Sequence, residues 1–327
     1  METSVSAESI DVTLLRTLKG HKRSVLGVAF SSDGQTLISV SWDKTVRRWR
    51  VAGDSRPHIL RGHASAVTCV AVSPDGKVFA SGAVDGTMRL WQMNGQPLRF
   101  FWGHLKPVQS MSFSSDGQIL ASRAGDHTVR LWEVASGKLR RVLEGHTGMV
   151  WSVAFSPNEQ ILASGSEDGT VRLWTTTNNE PLRILEVYTS SVLSVAFSPD
   201  GQVLASGWGD GTVRLWRVVD GALLCTLKKD GSPISKVIFS PVGGGLAFGS
   251  SDGTVQIWQI MGERLYLLHI LKTYNAVCSM AFSPDGHMLA LGLSNGTIRL
   301  YQISGWPSQD QDAERASLAW RWGWSAS

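Results

Sequence analysis

Three kinds of side chain that could together perform hydrolysis recur in the first half of the chain. Serine, histidine and aspartate are the residues that form a nucleophile–base–acid triad. An enzyme needs one such set, with an exposed nucleophile and an oxyanion hole, whereas here the set recurs four times and always ends in tryptophan, whose indole can only donate a hydrogen bond. We therefore expect structural hydrogen-bond chains and no catalytic residue. The sets are His21, Ser39, Asp43 and Trp49; His63, Ser81, Asp85 and Trp91; His104, Ser122, Asp126 and Trp132; and His146, Ser164, Asp168 and Trp174.

The closing tryptophans belong to a repeat that runs through almost the whole chain. Each unit has a short apolar run, a turn such as Ser-Pro-Asp-Gly, a second run, an Asp-Gly-Thr turn and a β-branched run that ends in the aromatic residue. Proline and glycine favour the turns, and Asp-Gly is typical of a tight hairpin. A looser fourth run follows, so each unit predicts a four-stranded antiparallel sheet. The closing residues, 41–43 positions apart, are Trp49, Trp91, Trp132, Trp174, Trp216, Trp258 and Tyr301.

A single four-stranded sheet cannot bury both of its apolar faces, so the seven units are expected to stack in a ring. The last copy ends at its third strand, near 297–303, and the run at 14–18 before the first copy supplies a fourth. The sequence thus predicts an all-β, seven-bladed β-propeller of four-stranded antiparallel blades, closed by the N-terminal strand completing the last blade. Its boundaries are expected to be a mobile tail over 1–13, the propeller over 14–303 and a Trp-rich extension over 304–327. Two stacked sandwich domains are disfavoured, because sandwiches do not repeat their sequence at a fixed period.

These motifs resemble the WD40-repeat family over about 290 of the 327 residues. The likeness consists of Gly-His before the first strand, Ser-Pro-Asp-Gly, Asp-Gly-Thr and the closing tryptophan. One departure is that no closing tryptophan is followed by aspartate. The resemblance implies that the four residue sets are structural tetrads. It also implies a non-catalytic scaffold that binds protein or peptide partners through the top face, where the Gly-His loops and Asp-Gly turns lie.

Positions around the channel on that top face are the ones that the family commonly uses for partners. Several of them carry large residues that depart from the repeat. Tryptophan, methionine and arginine are the residue types that anchor interfaces, although tryptophans here could instead fill gaps between blades. The candidate partner-binding residues are Trp42, Arg123, Met149, Trp151, Glu167, Leu193 and Trp208.

Composition narrows the remaining possibilities. Hydrophobic residues make up 43% of the chain and charged ones 18%, which argues against disorder. No apolar run approaches the length of a membrane-spanning helix, and no signal peptide is visible. The three cysteines, Cys69, Cys225 and Cys278, have no disulfide or metal spacing, so we expect a cytoplasmic protein without metal or cofactor.

Two other function classes stay open. A small-ligand sensor or an enzyme could use the central channel, and unusual charged residues such as Arg123 and Asp230 would then distinguish one blade from the rest. Nucleic-acid binding is less favoured, because a net charge of +4 is weak. A recurring arginine in the third strand fits a structural ladder better than a basic stripe. We expect a monomeric propeller that works within a larger complex.

Overall fold

The computed structural model describes residues 10–53, 56–158, 161–178, 180–187, 190–228, 231–242, 244–261 and 264–306. These residues form twenty-eight β-strands and no helix. The chain starts with β1 (Asp11–Lys19), and blades 1 to 3 then follow in order. Their strands are β2 (Val25–Phe30), β3 (Thr36–Ser41), β4 (Val46–Arg50) and β5 (His58–Leu60); β6 (Val67–Val72), β7 (Val78–Ala83), β8 (Met88–Gln92) and β9 (Pro97–Phe101); and β10 (Val108–Phe113), β11 (Ile119–Ala124), β12 (Val129–Glu133) and β13 (Leu139–Leu143).

Blades 4 to 7 repeat the same order. Their strands are β14 (Val150–Phe155), β15 (Ile161–Ser166), β16 (Thr170–Thr175) and β17 (Pro181–Glu186); β18 (Val192–Phe197), β19 (Val203–Trp208), β20 (Thr212–Arg217) and β21 (Leu223–Lys228); β22 (Ile234–Phe239), β23 (Gly245–Ser250), β24 (Thr254–Met261) and β25 (Arg264–Lys272); and β26 (Val277–Phe282), β27 (Met288–Leu293) and β28 (Thr297–Ser304). Each blade is one antiparallel sheet, and β1 is the outer strand of blade 7.

The pairing of β1 with β28 closes the ring. The two strands run antiparallel from Asp11 opposite Ser304 to Lys19 opposite Thr297, with a bulge between Leu14 and Arg16. This confirms the predicted seven-bladed propeller and its closure by the N-terminal strand. Pairing begins before residue 14, so residues 11–13 are not part of a tail: Ile10 is buried and Val12 packs on the core between blades 6 and 7. Residues 1–9 and 307–327 lie outside the described part of the chain.

The core consists of apolar clusters between neighbouring blades. One cluster combines Met88 and Phe101 of blade 2 with Val108, Leu120 and Trp132 of blade 3. The closing tryptophans of the first four blades are almost completely buried in such clusters. Each sheet therefore covers a face of the next one, which is why a single repeat could not be stable by itself.

The first strands of the seven blades contact one another in a closed circle, here called the inner ring (β2, β6, β10, β14, β18, β22 and β26). Serine side chains link its members. The backbone N–H of Val195 donates to Ser152 Oγ of the preceding blade at 3.1 Å, and that of Val237 donates to Ser194 Oγ at 3.1 Å. Ser110 and Ser279 make the same link to blades 4 and 1. The corresponding positions in blades 1, 2 and 6 hold Gly27, Cys69 and Lys236.

Candidate functional site

The tetrads of blades 1, 3 and 4 form continuous hydrogen-bond chains. In blade 4, Trp174 Nε1 donates to Ser164 Oγ at 2.8 Å, and Ser164 lies 2.7 Å from His146 Nε2. His146 Nδ1 lies 2.8 Å from Asp168. Because the indole can only donate, the hydroxyl is left to donate to Nε2 and the imidazole to donate from Nδ1 to the carboxylate. This chain of hydrogen bonds connects the third strand, the second strand, the Gly-His loop and the Asp-Gly turn.

Burial and hydrogen bonding set the charges in this chain. Burial alone would raise the pKa of Asp168, but hydrogen bonds from His146 and Thr170 outweigh burial and hold that pKa well below its usual range. Burial lowers the pKa of His146, and the neighbouring carboxylate offsets only part of that effect. The aspartate is therefore charged and the imidazole neutral at pH 7.

The tetrad of blade 2 is incomplete. Trp91 Nε1 and His63 Nε2 both bond to Ser81, at 2.8 and 2.7 Å. Within the described chain, no hydrogen bond joins His63 to Asp85, and its Nδ1 instead lies 3.5 Å from Thr87 Oγ1. Burial, followed by the positive charge of Arg89, lowers the pKa of His63 to about 4.

The serines of these tetrads are unsuited to nucleophilic attack. Ser39, Ser81, Ser122 and Ser164 are fully buried. Each Oγ accepts a hydrogen bond from an indole and bonds to a histidine. A substrate cannot reach an oxygen in that position, so the geometry provides stability and no exposed nucleophile.

Blade 5 uses a different arrangement, and it corrects the assignment of Trp208 as a partner contact. Trp208 is fully buried. Its Nε1 donates to Ser206 Oγ at 2.8 Å, and the Arg214 guanidinium lies 4.2 Å from its ring centroid. Ser206 also accepts from Trp216 at 2.8 Å. The indole of Trp208 thus takes the place on serine that histidine takes in the first four blades; Tyr188, which replaces that histidine in the sequence, lies outside the described residues.

Arg123 also lies inside the ring and not on the top face, which is a second correction. Only 2% of it is exposed. Its Nη1 donates to Gln109 Oε1, and its guanidinium lies 5.4 Å from the ring centroid of Trp151. Glycine occupies this position in five other repeats, and there it faces the next blade, as Gly165 faces Val192. A long side chain at this position must therefore run between blades towards the axis.

The other predicted contact residues reach the surface to different extents. Trp42 is 45% exposed, and Glu167 is exposed as well, whereas Met149, Trp151 and Leu193 are half-buried. Asp230, named with the channel alternative, lies outside the described residues.

Sequence reasoning missed the most exposed apolar residues of the top face. Leu105 and Tyr274 are 88% and 86% exposed, and both directly follow the histidine position of their repeat. Their loops lie against the Asp-Gly turns of the preceding blades, since Gly86 approaches the His104 carbonyl and Gly253 approaches that of Asn275. The sequence does show that Leu105 and Tyr274 depart from the repeat, because the same position holds lysine, alanine or threonine in blades 1, 2 and 4.

The recurring arginines of the third strand are engaged within their blades. Arg130 donates to the Gly103 carbonyl at 2.7 Å and lies 3.4 Å from Asp126. Arg47 lies 3.7 Å from Asp43 in the same way. These guanidinium groups neutralise the turn aspartates, and they do not form a stripe open to a phosphate backbone.

Within the part of the chain that the structure describes, no group of three or more acidic, histidine or cysteine side chains could hold a metal ion. A search for helices long and apolar enough to span a bilayer finds none in the same residues.

Comparison with protein families agrees with this geometry. Residues 12–50, 55–92 and 95–133 match the model described as WD domain, G-beta repeat. Residues 123–322, more than half of the chain, match the model described as IFT122 first beta-propeller. The matched segments begin in β1 and extend beyond β28, so they include every blade. The chain belongs to the family of WD40-repeat β-propellers.

Proposed function

We propose that this protein is a non-catalytic scaffold that binds a protein or peptide partner through the top face of its propeller. Membership of the WD40-repeat family favours interaction work in general, and the buried tetrad serines favour a role without catalysis. The observation that carries the proposal is the exposure of Trp42, Leu105 and Tyr274, three large side chains on top-face loops or turns. When a partner removes such side chains from water, their burial lowers the free energy of the complex.

The loops that carry these side chains are held in place, which lowers the cost of binding. The Trp42 N–H donates to the Ser24 carbonyl at 3.1 Å, and the N–H of Thr273, the residue before Tyr274, donates to the Gly253 carbonyl at 2.8 Å. A surface that is already ordered loses little conformational entropy when it binds. Met149, Trp151 and Leu193, half-buried on the same side, would extend the contact towards the channel.

Cellular context is part of the proposal. Cys69, Cys225 and Cys278 are free thiols, which agrees with the reducing cytoplasm. We expect one propeller per partner complex, with the ring serving as a rigid platform.

The test compares two faces of the same ring. The full-length protein and a variant with Trp42→Ala, Leu105→Ala and Tyr274→Ala are used to capture proteins from an extract of the native host, and the captured proteins are identified by mass spectrometry. The matched control is Val219→Ala, which removes a 74% exposed side chain from the turn between β20 and β21 on the opposite face. We expect the triple variant to capture at least about tenfold less of the specific partner. The control should capture as much as the unchanged protein, and both variants should keep its melting temperature. Equal capture by all three proteins would contradict the proposal.

A further inference from the structure

Two cations interrupt the repeat inside the central channel. Lys236 stands on β22 where four other blades have the linking serine, and Arg123 stands on β11 where five others have glycine. The positive charge of Arg123 lowers the pKa of Lys236. Blades 3 and 6 are not neighbours in the ring, so the two side chains can influence each other only across the channel.

Neither cation has a negative partner. In the described part of the chain, no carboxylate forms an ion pair with either side chain, and the one polar contact of the Arg123 guanidinium is the neutral amide of Gln109. Arg123 Nε and Trp151 Nε1 are buried donors without an acceptor. Cys69 is the other titratable group that acts on both cations. Burial raises the pKa of this thiol to about 12, so it carries no charge at neutral pH.

Two buried cations without negative partners destabilise the folded protein unless a bound group compensates for their charge. Burial lowers the pKa of Arg123 to about 9 and also lowers the pKa of Lys236, because water no longer solvates the charged forms. Buried charges without partners destabilise a fold. Groups perturbed in this way, with unused donors nearby, are typical of functional sites.

The channel also offers room for an apolar group beside Lys236. A cavity of about 470 Å³ opens at the lower mouth, between the turns of blades 1, 2, 6 and 7. Its apolar walls include Phe30, Val72, Met280 and Phe282, and Lys236 is the charged side chain of its lining. The mouth therefore presents an oily surface that leads to a positive interior.

We propose that the central channel binds a small organic carboxylate, with its carboxylate between Lys236 and Arg123 and its apolar body in the lower mouth. Arginine and lysine supply several donors to such a group, and the indole N–H of Trp151 supplies another. The pocket has the usual character of small-molecule sites, mostly apolar walls with a few convergent polar groups. It shares Trp151 with the proposed partner site, but Trp42, Leu105 and Tyr274, which carry that site, do not line the cavity.

The experiment measures binding of sodium octanoate to the full-length protein by isothermal titration calorimetry at pH 7.5. Octan-1-ol provides nearly the same body without the charge, and inorganic phosphate provides charge without the body. Arg123→Gly and Lys236→Ser restore the residues found in most other repeats, and each is expected to weaken octanoate binding by at least about tenfold. Lys138→Ser removes an exposed lysine as the matched control, and it should bind octanoate as the unchanged protein does.

Saturable octanoate binding at one site, weakened by either channel substitution, supports the proposal. Melting curves establish that each variant is folded. If Lys236→Ser or Arg123→Gly does not fold, Lys236→Met is measured in its place. The proposal is overturned if octanoate shows no saturable binding, if octan-1-ol or phosphate binds as tightly as octanoate, or if Lys138→Ser weakens binding as much as Lys236→Ser does. Loss of partner capture would not produce any of these results, so the two proposals fail separately.

Discussion

A buried histidine makes the stability of a blade sensitive to acid. His63 bonds to Ser81 through Nε2 but makes no hydrogen bond to Asp85 among the described residues, so the carboxylate offsets little of the effect of burial. Its pKa is about 4 in the folded protein and about 6.5 in an unfolded chain. Because the folded state resists protonation, the contribution of His63 to stability is complete above pH 6.5 and is lost as the pH falls from 6.5 towards 4.

We predict that His63→Gln reduces the pH dependence of unfolding in that range. The shift corresponds to on the order of 3 kcal/mol of the free energy of unfolding of the wild type between pH 6.5 and 4. The measurement is urea unfolding at both pH values, and the quantity compared is the acid-induced loss in each protein. His58→Gln, which removes an exposed imidazole from blade 1, is the control. Equal losses in wild type and His63→Gln would show that His63 is not the responsible group.

Repeat spacing located the tetrad residues but could not determine which large side chains face solvent. The register of a strand decides whether a residue points to one face or the other, and the period reveals that register. It does not reveal how much space the neighbouring blade leaves. Trp208 fills a site beside Ser206, and Arg123 passes between blades, because the surrounding side chains leave space for them there. That space depends on tertiary packing, which the residues next to each position in the sequence do not reveal.

Individual strands also adapt to one another through exceptions to the repeat. Gly245 begins β23, whereas the other second strands begin with threonine, valine, isoleucine or methionine. A Cβ atom on Gly245 would collide with the ring of Trp306. Trp306 donates from Nε1 to the Gly286 carbonyl at 2.9 Å and packs edge-to-face on Phe282 at a centroid distance of 6.1 Å. The missing side chain of one strand thus makes room for a residue beyond the last strand.

We predict that Gly245→Val destabilises the protein by about 1–3 kcal/mol, because the added methyl groups displace Trp306. Trp306→Ala should itself be destabilising, and the double variant should lose less than the sum of the two single losses. The free energies come from chemical denaturation of all four proteins of the cycle. Additive losses would mean that Gly245 and Trp306 act independently.

At the level of the ring, the fold followed from the sequence almost completely, because period, turn chemistry and the unmatched strand at 14–18 all require the same closed arrangement. Both ends of the ring were misplaced slightly, since β1 starts at Asp11 and β28 includes Ser304, which was expected to belong to the extension. Proline and glycine, which mark the turns between strands elsewhere in the chain, are absent before Asp11, so the first pairing residues resembled a tail.

Closure predicts that damage to β1 spreads through the whole molecule. Leu18 is 1% exposed and packs with Val25 and Leu37 of blade 1 and with Ile298 and Leu300 of blade 7. Leu18→Ala should cost about 2–5 kcal/mol and shift a single cooperative transition, monitored by circular dichroism and by tryptophan fluorescence. Leu15→Ala on the same strand, where the side chain is 51% exposed, is the control and should cost well under 1 kcal/mol. If the two variants unfold alike, closure does not depend on the buried side of β1.

The bond between β1 and β28 has a consequence for biosynthesis. The two strands are the earliest and the latest of the described chain to leave the ribosome. At about 5–20 residues per second, β1 waits roughly 15–60 s for its partner. During translation its backbone edge is open to other nascent chains, and the correct pairing must form over the longest possible loop. The ring therefore cannot close before β28 has been synthesised, and molecular chaperones would have most to protect in that interval.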